Sequence, residues 1–180
     1  MPAYAYVIVF VAWLAWISAF VFRKRAKVAR RINRQARWGI FLQGIGFVLI
    51  WQGRFWARDP GWKLLPALIL LACAVLLSWT GVAALGRHWR IDAGLNPDHQ
   101  LVRSGPYRFV RHPIYASMLC LFLGTGLIVT PWYVLVPAIA IFLVGIEIRV
   151  RIEDALLASQ FGDDFSAYKR NVPAYVPWLR

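Results

Sequence analysis

The sequence predicts an all-α integral membrane protein, with five transmembrane helices and a cytoplasmic helical extension at its C-terminal end. Three observations carry that expectation. Of the 180 residues, 60% are hydrophobic and only 16% are charged, well below the roughly quarter-charged content of an average soluble domain. The apolar residues fall in runs long enough to cross about 30 Å of hydrocarbon as helices. The formal net charge of +13, from 21 Lys and Arg against 8 Asp and Glu, sits in clusters between those runs. That distribution points to anionic membrane lipids as partners and away from nucleic acid, which would be met by one continuous basic surface.

The first run, from about Ala3 to Phe22, carries no charged residue. A basic cluster follows it instead of preceding it, and no small-residue cleavage site stands out, so the run reads as an anchor and not as a secretory signal. Arg23, Lys24, Arg25, Lys27, Arg30, Arg31, Arg34 and Arg37 come next. The positive-inside bias assigns this loop to the cytoplasm and leaves the N-terminus outside. A second run, about Trp38 to Trp56, is interrupted by Gln43, Gln52 and Arg54, while its Gly44 and Gly46 suggest close helix packing. Its end, from Trp51 to Trp56, reads as an interfacial aromatic belt.

Turn chemistry at Asp59-Pro60-Gly61 leads into a third run, Leu64 to Leu85, which returns the chain to the cytoplasm. The apolar stretch from Pro113 to Ile146 is too long for one helix and breaks at Thr130-Pro131, because proline suits the first turn of a new helix. A hairpin of two spans results. The part from Glu147 onward is then cytoplasmic, in keeping with its Arg149, Arg151, Lys169 and Arg170. For a bacterial chain this means the plasma (inner) membrane. Cys73 and Cys120 lie inside apolar runs with no partner at ligand spacing, so they read as small core residues, and no metal site is expected. Without a linker or an internal repeat, residues 1–180 read as one domain, in which residues 1–62 supply two helices and the basic loop.

The chemistry-bearing residues fall in two places. The polar stretch from Gly86 to His112 holds all three histidines, His88, His99 and His112. Within it Gly105-Pro106-Tyr107 forms a turn, and Arg111-His112-Pro113 opens the fourth helix at the membrane boundary. Free amides and the positive end of the helix dipole there suit a carboxylate or phosphate, with Arg111 adding charged donors. The plainer alternative is that Arg111 and His112 anchor the helix among headgroups. The second place follows the fifth span, where Ile146, Val150, Leu157 and Phe161 form a helical stripe and Asp154 falls on the same side. A carboxylate in that position needs a partner or a ligand. The alternative is an Arg149 to Glu153 ion pair beside a solvated Asp154.

The segment His99-Gln100-Leu101-Val102-Arg103-Ser104-Gly105-Pro106-Tyr107, then Arg111-His112-Pro113-Ile114-Tyr115, then Glu153-Asp154, Phe161-Gly162, Tyr168 and Val172-Pro173 resembles the isoprenylcysteine carboxyl methyltransferases and the related phospholipid methyltransferases. The resemblance covers roughly Leu85 to the C-terminus, residues 85–180. It implies binding of S-adenosylmethionine between the loop before the fourth span and the helix leaving the fifth, with a lipophilic or lipid-linked acceptor arriving from the membrane. Carried over by position, it implies cofactor contacts from His99, Gln100, Leu101, Val102, Tyr107, His112, Pro113, Ile114, Tyr115 and Glu153. By the same resemblance Arg149 handles the acceptor carboxylate and Arg111 belongs to the catalytic core. Two departures stand out: the second acid of the family's Glu-Glu pair is Asp154 here, and Ser117 takes a place usually held by glycine.

A carboxylate acceptor is already nucleophilic and needs only desolvation and in-line placement. An amine acceptor must first lose a proton, for which His88, His99 or His112 are the available imidazoles. The reading is therefore an S-adenosylmethionine-dependent methyltransferase, most like one that O-methylates an isoprenylcysteine-type carboxyl. The alternatives are an N-methyltransferase of a phospholipid or other lipid amine, a nicotinamide-dependent membrane reductase, and a non-enzymatic basic scaffold holding anionic lipid.

Overall fold

The computed structural model describes residues 2–21, 31–32, 34–52, 60–89, 94–95 and 100–177. Its helices are α1 (Ala3–Val21), α2 (Ala36–Gln52), α3 (Leu64–Leu85), α4 (Pro113–Val129) and α5 (Trp132–Asn171). The apolar runs of the sequence reappear as these helices, and α3 coincides with its run from Leu64 to Leu85. Gly86, at φ 53°, ends α3 in a conformation open mainly to glycine. Pro113 occupies the first turn of α4, where no N–H is needed. Thr130 and Pro131 are both extended, and this two-residue break lets α5 turn back against α4. The expected aromatic belt beyond Gln52 lies mostly in residues 53–59, outside the described residues.

Helices α1, α3 and α4 enclose one apolar cluster around Val9, Leu71, Leu121 and Val129. Helices α2, α4 and α5 enclose another around Ile50, Phe122, Phe142 and Ile146. Phe122 stacks on Phe142 at 4.1 Å, and Phe47 meets both edge-on at 5.3 and 5.2 Å. Glycines bring α2 and α5 together: a Cβ on Gly39 would lie 2.6 Å from the Gly145 carbonyl oxygen, and one on Gly145 would lie 2.8 Å from that of Gly39. Close approach through small residues is the usual way helices associate where lipid removes the hydrophobic drive. On α1, the indoles of Trp13 and Trp16 donate to Thr125 and Ser117 of α4, both at 3.1 Å. The outward sides remain apolar, with Phe10, Val11, Phe41, Val48, Ile69 and Leu76 exposed, as suits a lipid-facing surface.

Three helical segments among the described residues are long and apolar enough to cross a membrane: Ala3–Val21, Gly61–His88 and Trp132–Asn171. Helices α2 and α4 have 17 residues each and reach only about 26 Å at 1.5 Å per residue. The helical membrane fold of the sequence reading stands on the three long segments, while its count of five spans goes beyond them. One element had no precursor in the sequence pattern. Arg31–Ile32 pairs antiparallel with Gly94–Leu95, tying the basic loop to the polar stretch before α4; two residues are too few to produce a readable alternation.

Candidate active site

The apolar first part of α5 gives way near Glu147 to a polar extension that bends at Gly162, where φ is 52°. The extension packs beside the start of α4. Beyond its end, the chain runs past the approach to α4, so that the amides of Arg111 and His112 donate to the carbonyls of Pro173 and Ala174 at 2.8 Å each. The Arg111 guanidinium donates to Asp154 Oδ2 at 3.0 Å, to the Lys169 carbonyl at 3.3 Å and to the Val172 carbonyl. Sequence reasoning expected Arg111 and the adjacent backbone donors to face an external anion. In the structure these groups hold the chain's own acceptors, and Arg111 acts as a clasp between α4 and the end of α5.

Asp154 is the centre of that clasp. Its side chain is 6% exposed and receives Arg111, His112 Nε2 at 2.9 Å and Lys169 Nζ at 3.0 Å. Burial disfavours its charge, but His112, Lys169 and Arg111 outweigh that and hold its pKa far below the ordinary carboxylate range. The apolar stripe did foretell a partnered acid at this position, and the solvated alternative does not hold.

His112 faces both acids. Its Nε2 meets Asp154, and its Nδ1 lies 3.5 Å from Glu153 Oε2. Burial pulls its pKa down, yet the two carboxylates prevail and raise it, so the ring is favoured as imidazolium. Glu153, likewise penalised by burial, is kept ionised by His112, Arg149 and Tyr115. Tyr115 donates its hydroxyl to Glu153 Oε1. Arg149 lies 8% exposed with Cζ 5.1 Å above the Tyr115 ring and Nη2 3.6 Å from Glu153 Oε1. Five of the residues singled out from sequence, Arg111, His112, Tyr115, Arg149 and Glu153, therefore form one connected group.

The other expected site residues are placed as follows. Tyr107 is buried, and its carbonyl accepts the Tyr168 hydroxyl at 2.5 Å. Leu101 and Val102 are half-buried and Gln100 is exposed. They lead into Arg103, which donates to the Asp164 carbonyl at 2.8 Å and lies over Tyr168. Pro113 and Ile114 turn toward α3 and pack at Gly81. His99 lies outside the described residues. Sequence reasoning missed the ion pair from Lys169 to Asp154 and the clip formed by Pro173 and Ala174. Lys169 stood out only as one of several basic residues, and backbone carbonyls leave no trace in side-chain patterns.

The family model described as phospholipid methyltransferase matches residues 62–164, a stretch that contains this whole group except the Lys169 to Ala174 side of the clasp. The chain belongs to the phospholipid methyltransferase family. It is thereby a membrane methyltransferase. Among its relatives, the protein-S-isoprenylcysteine O-methyltransferase of Schizosaccharomyces pombe is 27% identical over 163 residues, covering 82% of this chain and 69% of that protein. The cobalt-zinc-cadmium resistance protein CzcN of Cupriavidus metallidurans is 34% identical over 99 residues, 54% of this chain and 45% of its own length. Methanethiol S-methyltransferase 1 of Bradyrhizobium diazoefficiens is 32% identical over 74 residues, 41% of this chain and 25% of its own. The chain spans less than two thirds of the latter two.

Proposed function

We propose that the protein transfers a methyl group from S-adenosylmethionine to a lipophilic acceptor at the cytoplasmic face of the membrane, most like the carboxyl O-methylation of an isoprenylcysteine-type substrate. The observation that carries this reading is the position of His112 between Asp154 and Glu153. An imidazole that hydrogen-bonds one carboxylate, faces a second and is thereby favoured in its protonated form is a poor proton acceptor. The site therefore suits an acceptor that arrives already ionised, a carboxylate above all, and needs no base from His112.

The residues present fit the donor. Glu153 is ionised and its side chain is 27% exposed, in contrast to its neighbour, so it is able to accept hydrogen bonds from ribose hydroxyls or an amino group. Leu101, Val102 and Tyr107 would bound the same site, with His99 and Gln100 preceding them. Once bound, the sulfonium donor would supply the methyl carbon for attack by the acceptor oxygen. Arg149 would orient the acceptor carboxylate, Tyr115 would hold Glu153, and Arg111 would serve as a positioning residue through Asp154. The packing of Arg149 and Tyr115 within a nearly buried group keeps water from the reacting oxygen, which strengthens both contacts.

Calorimetry with S-adenosylhomocysteine, followed by labelled-methyl transfer to N-acetyl-S-farnesylcysteine, phosphatidylethanolamine, a quinone-like lipid and methanethiol, tests this reading. Donor-product binding with turnover of the carboxylate probe is expected. Turnover of phosphatidylethanolamine alone would move the assignment to amine N-methylation, and absence of donor-product binding would overturn it altogether.

A further inference from the structure

Helix α2 precedes the region matched by the family model, which begins at residue 62, yet it runs directly against the helix that carries Arg149. Gly39 lies beneath the Arg149 stem, where a Cβ would come 2.5 Å from Arg149 Cγ. One turn further along α2, Gln43 packs on Gly145, itself one turn before Arg149; a Cβ on Gly145 would lie 3.0 Å from Gln43 Cγ. Gln43 and Arg149 thus occupy successive turns of one seam. Gln43 is 3% exposed, and among the described residues its buried Nε2 has no hydrogen-bond partner.

A primary amide buried in a membrane helix is costly unless its donors are met. When such an amide serves only to join helices, it bonds across the interface. Here α2 and α5 are instead joined by glycine contacts, and among the described residues the Gln43 Nε2 donors remain unmet one helical turn along the seam from Arg149. A carboxylate has two oxygens with about four lone-pair sites, more than one guanidinium contact uses.

We propose that Gln43 is an acceptor-binding residue, whose side-chain amide donates to the acceptor's carboxylate or its adjoining amide carbonyl next to Arg149. This rests on the carboxyl-methylation reading above and assigns α2 a direct part in substrate recognition. The acceptor class it favours carries two oxygen acceptors close together at the head of a lipophilic tail, as an N-acylated S-prenylcysteine does.

The test is steady-state methyl transfer to N-acetyl-S-farnesylcysteine by the wild-type protein, Gln43→Leu and Gln43→Met, each with S-adenosylhomocysteine affinity and thermal unfolding measured alongside. Expected are an acceptor KM raised about tenfold, corresponding to one lost hydrogen bond, with donor-product affinity unchanged and an unfolding midpoint unchanged or higher, since an unmet buried amide has been removed. Unchanged acceptor KM in both folded variants, with an active wild type, would overturn the assignment of Gln43 and leave the methyltransferase reading in place. A wild type that binds S-adenosylhomocysteine but neither binds nor methylates the carboxylate probe would overturn both.

Discussion

Two adjacent acids on the α5 extension stand in contrasting surroundings. Asp154 is enclosed by Arg111, His112 and Lys169 with 6% of its side chain exposed, whereas Glu153, one residue earlier, keeps 27% exposed and contacts Tyr115, Arg149 and the other nitrogen of His112. A helix turns about 100° per residue, so the two carboxylates leave the backbone in different directions, one into the clasp with α4 and the other toward Tyr115 and Arg149. The contrast separates two kinds of work. The Asp154 side holds α4 to α5 and to the residues just after it, and the Glu153 side is where the proposed donor would be met.

Breaking the enclosed side has the largest expected effect. Asp154→Ala leaves Arg111 and His112 as buried positive groups without their carboxylate, a change that costs about 3–5 kcal/mol. Thermal unfolding in detergent is expected to show a collapse of the folded population, and activity to fall with it. Glu153→Gln is the matched change on the open side. It is expected to leave the unfolding midpoint within a few degrees while weakening S-adenosylhomocysteine binding about ten- to a hundredfold, because a charged acceptor becomes a neutral one. Equal effects on folding from both substitutions would erase the distinction between the two sides.

A pH series sharpens the same contrast through the residue shared by both acids. Asp154 and Glu153 have lowered pKa values, so their contributions to stability are complete above the ordinary carboxylate range near 4 and are lost as pH falls through their folded values. His112 has a raised pKa. Its contribution is therefore complete below about 6.5, the unfolded value, and is lost as pH rises through the higher folded value. Stability is expected to be greatest between about pH 4.5 and 6.5 and to decline on the alkaline side. In His112→Gln that alkaline decline should be absent. Its persistence in the variant would show that some other group drives it.

Much of the fold was legible because membrane helices announce themselves by length and polarity. The Leu64 to Leu85 run became α3, and the Thr130-Pro131 break became the α4 to α5 turn. The burial of Asp154 was legible too, because an acid aligned with Ile146 and Val150 at helical spacing has to be partnered. What could not be read was which groups answer which. Arg111 looked like an anion binder because its neighbourhood at a helix start is attractive to anions in general, and only the folded chain shows the Val172, Pro173 and Ala174 carbonyls arriving there first. Gln43 looked like a flaw in an apolar run, since a sequence does not disclose that its neighbour across the seam is the turn before Arg149.

The smallest expected effect lies farthest from the two acids, and it tests where the enclosed framework ends. Ser117 is buried with its hydroxyl donating to the Ile114 carbonyl at 2.7 Å and accepting the Trp16 indole N–H at 3.1 Å. Trp16→Phe removes that donor from α1. The Ser117 hydroxyl keeps its bond to Ile114, so no donor is stranded, and the loss should be about 1 kcal/mol of stability. Because Ser117 sits only two residues beyond Tyr115, the same variant reports whether α1 supports the Glu153 side. S-adenosylhomocysteine affinity within about threefold of wild type, under 0.7 kcal/mol, would confine α1 to scaffolding. A larger drop would mean that the Trp16 to Ser117 contact helps set the first turn of α4, and that the Glu153 side of the site depends on a helix outside the region matched by the family model.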